Sequence, residues 1–277
     1  MNSEPITNNL TRGRTDVLSF TRSLSSISII LLGIAAWALF LAGWYSAVYK
    51  GAVPSILLPA PDRIIISAIS MFSSEGFASD VWASIVRIFV SFALTSLIAI
   101  PLGIIMGSLK TFEAFFNPFV SAWRYLPAAA FVPILLMWLG TGESPKLALL
   151  ILGVIFFQIT VVMDMTKSIP TPLIETAMTL GATRSQILRR IIVPWMLPNI
   201  INALRQTIAI GWTYLVIAEI IASTNGIGAV MMRAQRFVHT DKIMVGIVTI
   251  GVLGLLTDLG FRWLYRILFP HLNVSKS

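Results

Sequence analysis

Long apolar runs separated by short polar segments recur along the chain. The runs predict spans at residues 27–48, 86–109, 116–140, 146–165, 196–222 and 243–267. Each is near the roughly 20 residues that a helix needs to cross about 30 Å of hydrocarbon, which gives about six crossings. Barrel strands would alternate in polarity with a period of two. These runs are apolar on every side, so helices are expected, because a helix satisfies its own backbone polar groups inside lipid. The predicted fold class is an all-α integral membrane protein.

The segments between the runs differ in character. Residues 50–83 hold the stiff turn Leu58-Pro59-Ala60-Pro61, then a helix over 62–71 suited to the membrane interface. Residues 110–114 and 141–146 are short turns. The longest connection, 167–195, reads as folded rather than loop-like. Pro172 suits the first turn of a helix, where its missing N–H costs nothing. Leu173, Ala177 and Leu180 then share one helical face. Gly181 is placed to end that helix with positive φ. Thr183 and Gln186 have capping-box spacing for a second helix, which Pro194 is expected to stop or turn into the next span. A helix, a glycine turn and a helix therefore stand between two membrane anchors, a form suited to docking another subunit.

Composition sharpens the class. Of 277 residues, 56% are hydrophobic and 12% charged, against about 25% charged in a soluble domain. Mean hydropathy is +0.85. There is no cysteine, which excludes disulfides and thiolate chemistry. With His239 and His271 the only histidines, no metal site or catalytic triad is expected. The net charge of +8 is read as the basic bias of loops on the cytoplasmic side, not as a nucleic-acid surface. That bias puts Arg12, Arg14, Arg22, Lys110, Lys167, Arg184, Arg189, Arg190, Arg262, Arg266 and Lys276 inside. Lys50, Arg63, Arg87, Lys146, Arg233, Arg236 and Lys242 fall outside. The tails 1–26 and 270–277 are both expected in the cytoplasm, flanking a membrane domain at 27–269. The stretch before residue 27 is polar and the first run is long, so a retained span is expected; cleavage of a signal after Ala47 is the other reading.

Glu175, Ala177, Gly181, Ile191 and Pro194 resemble the EAA loop of ABC-importer permeases, in which Glu-Ala-Ala is followed by Gly and then Ile-x-Leu-Pro. Thr176 and Val193 depart from that pattern. Leu58-Pro59-Ala60-Pro61, Arg124-Tyr125-Leu126-Pro127, Ala218-Glu219 and Asn225-Gly226-Ile227-Gly228 are similar to elements of permeases for nitrate, bicarbonate, cyanate, taurine and other sulfonates. The resemblance implies the type I (MetI-like) permease fold in a bacterial inner membrane. It implies a second permease subunit, commonly a homodimer, two ATP-binding subunits and an extracytoplasmic solute-binding protein, with lipid around the spans. ATP and Mg would sit on the partner ATPase, not on this chain, which lacks a phosphate loop and is not expected to be an enzyme. Glu175, Thr176, Ala177, Leu180, Gly181, Ala182, Ile191 and Pro194 are the implied ATPase-coupling residues.

Ionisable and polar residues at membrane depth mark a pathway or a helix contact. Arg124 and Arg205 are expected to snorkel, and Asp258 to pair with Arg262 one turn on. Glu219 is expected to gate or to hold helices, bonded to backbone N–H groups. Gln158, Gln206, Trp212, Thr213 and Tyr214 are candidates for the pathway wall, with helix adhesion as the competing role for Gln and Thr. Gly103 and Gly107 have the spacing of a helix-packing motif. A secondary transporter or channel without an ATPase is the alternative function. A membrane-tethered DNA-binding helix at 183–195 is remote, because its tether is short.

Overall fold

The computed structural model describes residues 25–222 and 224–270, with the side chains of Ser26 and Ala222 left aside. Most of both expected tails, with Arg12, Arg14, Arg22, His271 and Lys276, lies outside the described residues. Every element among the described residues is helical. The chain divides into two units, Met1–Ala52 and Val53–Ser277. The first unit contributes α1 (Ser26–Tyr49). The Ser25 hydroxyl caps α1 by accepting from Ser28 N–H at 3.2 Å. Trp37, Phe40 and Trp44 stack edge to face along it.

The second unit runs α2 (Pro61–Ser74), α3 (Phe77–Ser108), α4 (Lys110–Arg124), a 3-10 turn (Ala128–Phe131), α5 (Val132–Leu139) and α6 (Glu143–Lys167). It continues through α7 (Thr171–Thr179), α8 (Arg184–Ile187), a π turn (Leu188–Ile192), α9 (Val193–Ala222), α10 (Ile227–Arg236) and α11 (Thr240–Leu268).

The frame is the α3–α6 pair with α9 laid against it. Small residues let α3 and α6 approach closely. A Cβ on Gly103 would stand 2.8 Å from the Val162 Cβ, and one on Gly107 2.5 Å from the Thr166 Cβ. One apolar core joins Ile88 and Phe92 of α3, Leu150 and Val154 of α6, and Ile208, Trp212 and Leu215 of α9. A second, toward the other end, joins Ile104 and Val162 to Ile187, Ile192 and Met196. It also takes in Ala177, so α7 is anchored to the bundle through one face.

Two expectations are corrected and a third is narrowed. The span over 116–140 is not straight: α4 and the 3-10/α5 segment meet at 84°. Pro127 is the physical reason, since it pushes Leu126 out of the helical region and breaks the helix after Arg124. The second span starts at Phe77, nine residues before the expected 86, because Asp80 and Arg87 masked a helical stretch. Of the two outcomes expected at Pro194, the structure shows the second: the second helix of the loop is carried on into the next long helix. The helix continues from Arg184 to Ile221, with Val193 N–H donating to Leu188 O, five residues back. An interior proline crowds the carbonyl four residues back, and a turn widened to π geometry relaxes that crowding.

Candidate functional site

The loop between α6 and α9 folds from local rules. Pro172 falls in the first turn of α7. Gly181 follows with φ +81°, a conformation that costs a residue with a Cβ about 1–2 kcal/mol. Its N–H donates to Met178 O at 2.9 Å, and Ala182 N–H donates to Ala177 O at 3.0 Å, closing the helix end. The capping box then starts α8: Gln186 N–H donates to Thr183 Oγ1 at 3.3 Å, and Thr183 N–H to Gln186 Oε1 at 2.8 Å. The outcome is a short helix held by one face and free on the other.

Away from the bundle α7 exposes Leu173, Glu175, Thr176 and Leu180, the last 83% exposed. Of the stripe expected from Leu173, Ala177 and Leu180, only Ala177 is covered. It is buried against the bundle, so the expectation that it is a contact point is replaced by a packing role. Its small side chain lets α7 lie close. Ala182 and Ile191 are half-buried in the same core, and Pro194 is exposed at the start of α9.

A second constellation lies at the opposite end of α3 and α9, where sequence reasoning placed Arg87 and Lys146 outside on polar connections. Both are buried at 3% exposure. Arg87 pairs with Glu219, and with Glu143 through Nε at 2.8 Å and Nη2 at 2.9 Å. Its Nη2 also donates to Asn225 Oδ1 at 3.1 Å. Lys146 reaches Glu143 Oε1 at 2.8 Å. Ser84 Oγ donates to Glu219 Oε1 at 2.7 Å.

Three successive backbone N–H groups between α9 and α10 are captured by this cluster. Gly226 donates to Asp80 Oδ1 (2.7 Å), Ile227 to Ser84 Oγ (3.0 Å) and Gly228 to Glu219 Oε2 (2.8 Å). The approach is close: a Cβ on Gly228 would stand 2.6 Å from the Glu219 Cβ. Arg87, Lys146, Glu143 and Glu219 balance in charge. The cluster therefore acts as a clamp on the turn into α10, not as a trap for an anion. Arg87 was legible only by noticing that Gly76 can bound a helix, which sets Arg87 well inside α3.

The polar residues of the spans separate into two groups. Gln158 is fully buried and donates to Ser96 Oγ at 2.8 Å, joining α6 to α3. Trp212 is buried in the core, and the Tyr214 ring rests on Gly153, where a Cβ would meet it at 2.6 Å. These three are corrected from pathway wall to helix packing, because their side chains point into the subunit. Gln206 and Thr213 are exposed, with Ala209 between them on the same face of α9. Arg205 does more than snorkel: its Nε meets Asp258 of α11 at 3.1 Å, while Arg262 meets the same carboxylate at 2.7 Å. Arg124 lies over the Tyr125 ring. Among the described residues no group of three or more metal-ligating side chains forms.

This arrangement has counterparts among known proteins. Residues 99–274 match the family described as binding-protein-dependent transport system inner membrane component. The taurine transport system permease protein of Escherichia coli K12 is 32% identical over 87% of this chain and 90% of its own length. A putative aliphatic sulfonates transport permease protein of Bacillus subtilis is 30% identical over 87% of each chain. The nitrate import permease protein of Synechocystis is 25% identical over 72% of each. Among solved structures, an inward-facing methionine ABC transporter shares the fold with a TM-score of 0.62 at 22% identity, covering 69% of this chain and 95% of that one.

Proposed function

The chain belongs to the family of binding-protein-dependent transport system inner-membrane components, and on that footing we propose that it forms the translocation pathway for a small anion with a sulfonate or nitrate-like head. The named relatives for taurine, aliphatic sulfonates and nitrate support that substrate class. Two ATP-binding subunits hydrolyse ATP and Mg-ATP binds only there. A solute-binding protein delivers the anion from outside. A second copy of this chain completes the pathway, and the exposed Gln206–Ala209–Thr213 face of α9 lines it. Both termini lie in the cytoplasm, in keeping with the basic residues gathered at that end.

The observation that carries the reading is the Thr171–Gln186 loop. A short helix is bound to the bundle through Ala177 and offers Leu173, Glu175, Thr176 and Leu180 to a partner. Exposed apolar side chains beside a carboxylate on a short, held helix suit insertion into a groove of an ATPase. The test is co-expression with the neighbouring ATP-binding subunit. Co-purification that is lost on Leu180→Asp, with the permease still folded, is expected. Uptake driven by an ion gradient in vesicles lacking any ATPase would instead establish a secondary transporter.

A further inference from the structure

The end of the bundle that carries the helix–turn–helix loop also holds a cavity of about 570 Å³, within the roughly 300–1,000 Å³ typical of ligand pockets. The end of α3 and the start of α4 form one wall, and α7, α8 and the π turn form the other. Ile105, Ile174, Met178 and Leu188 make the lining mainly apolar, while Lys110, Arg184 and Arg189 bring three exposed cations to it.

None of the three cations has an acidic partner among the described residues. Glu113, three residues from Lys110, is already engaged by Lys167 at 2.5 Å. Uncompensated positive charge beside an apolar hollow matches a ligand with an anionic head and a hydrocarbon tail. A second, independent feature marks the same place: the π turn supplies Leu188, Arg189 and Ile192 to the wall, and such turns concentrate at functional sites.

The depth of the cavity selects among anionic ligands. Helix α3 has 32 residues, which at 1.5 Å per residue is about 48 Å. The hydrocarbon layer is only about 30 Å thick, and about 40–45 Å with its headgroups. Helix α3 is therefore long enough for Ser108 to reach the headgroups, and the charge of Lys110 just after it favours that level over the hydrocarbon. Basic pockets at that level on the cytoplasmic side take lipid phosphates.

We propose that this cavity binds the phosphate of an anionic phospholipid through Lys110, Arg184 and Arg189, with an acyl chain against Ile105 and Leu188. The bound lipid steadies α7 against the α3–α4 turn. Only this consequence for coupling rests on the function proposed above; the binding itself does not.

The full-length chain is placed in nanodiscs of phosphatidylcholine with titrated phosphatidylglycerol, and retained lipid is counted by native mass spectrometry. The variant Lys110→Gln/Arg184→Gln/Arg189→Gln is expected to hold phosphatidylglycerol about a hundredfold more weakly, as three lost basic contacts imply. The charge-keeping variant Lys110→Arg/Arg184→Lys/Arg189→Lys is expected to retain it, which separates lost binding from misfolding. Equal retention by the neutral variant and the native chain overturns the proposal. Displacement of the lipid by excess inorganic phosphate assigns the site to a free anion and also overturns it. Unchanged lipid retention by the neutral variant, together with loss of the ATP-binding subunit in a separate co-purification, would mean that the cations face a protein and overturns the proposal. Because the lipid is counted without the ATPase, failure of the coupling reading leaves this result intact.

Discussion

Arg87 of α3 and Glu219 of α9 form an ion pair that is buried on both sides, with Glu219 at 1% exposure and Arg87 at 3%. The pair ties together the two long helices of the frame and, through the second carboxylate oxygen, the first turn of α10. Removing one member of a buried pair typically costs about 3–5 kcal/mol, because it strands the other charge. Glu219→Leu and Arg87→Met are each expected to lower the unfolding midpoint of the detergent-solubilised chain markedly. The Glu219→Leu/Arg87→Met double variant should lose less than the sum of the two, and strict additivity in such a cycle would deny the pairing.

The close seam between α3 and α6 makes its own prediction. Gly107→Ala forces a Cβ to within 2.5 Å of Thr166, and overpacking of this kind costs about 1–3 kcal/mol. Gly260→Ala, where an added Cβ meets nothing within 4 Å, should leave thermal stability unchanged or slightly raised. Differential scanning fluorimetry of the two variants side by side measures the contrast.

Gly181 sets the angle between α7 and α8. Gly181→Val places a β-branched side chain at φ +81°, with a local cost of at least about 1–2 kcal/mol. The amount of substrate taken up per ATP hydrolysed by the assembled complex is expected to fall at least tenfold, while the core melts normally. Thr183→Ala removes one half of the capping box, worth about 1 kcal/mol, and should give a milder form of the same defect. Normal coupled uptake by Gly181→Val would show that the turn plays no part in the drive.

The two kinds of polar residue in the spans should respond oppositely to substitution. Gln158→Leu removes a buried amide whose Oε1 has no hydrogen-bond partner among the described residues. Ser96 keeps its own bond to Phe92 O at 2.7 Å. Stability is therefore expected to change by less than about 1 kcal/mol, with uptake retained. Gln206→Ala and Thr213→Ala, on the exposed face of α9, should leave the melting point alone and slow anion uptake in reconstituted vesicles. A full-rate double variant would remove that face from the pathway.

The helical class and the positions of most spans follow from run length, because a lipid solvent leaves the backbone few choices. The loop from Pro172 to Gln186 was legible for a different reason. Its proline, glycine and capping residues each act on their nearest neighbours, so spacing alone describes the turn. The 84° break after Arg124 was hidden because hydropathy ignores what Pro127 does to Leu126. The clamp around Glu219 was hidden because its members come from α3, α6, α9 and the turn before α10, and only packing brings them together. Charge counting assigned Arg87 and Lys146 only to the outer side, and it could not show that partners at short range make their burial tolerable. Inward and outward positions on α6 and α9 were equally opaque, since Gln158 and Gln206 look alike until their helices have neighbours.

The helix that begins at the capping box does not end at the membrane surface. From Arg184 to Ile221 it is one body of 38 residues, roughly 57 Å at 1.5 Å per residue, and Glu219 sits near its far tip. A push on one end therefore has no hinge of loop in which to dissipate before it reaches the clamp. The π turn re-spaces the hydrogen-bond ladder of that rod and Pro198 removes a donor from it, so these two places govern how stiffly a tug at Ser185 is delivered to the far end.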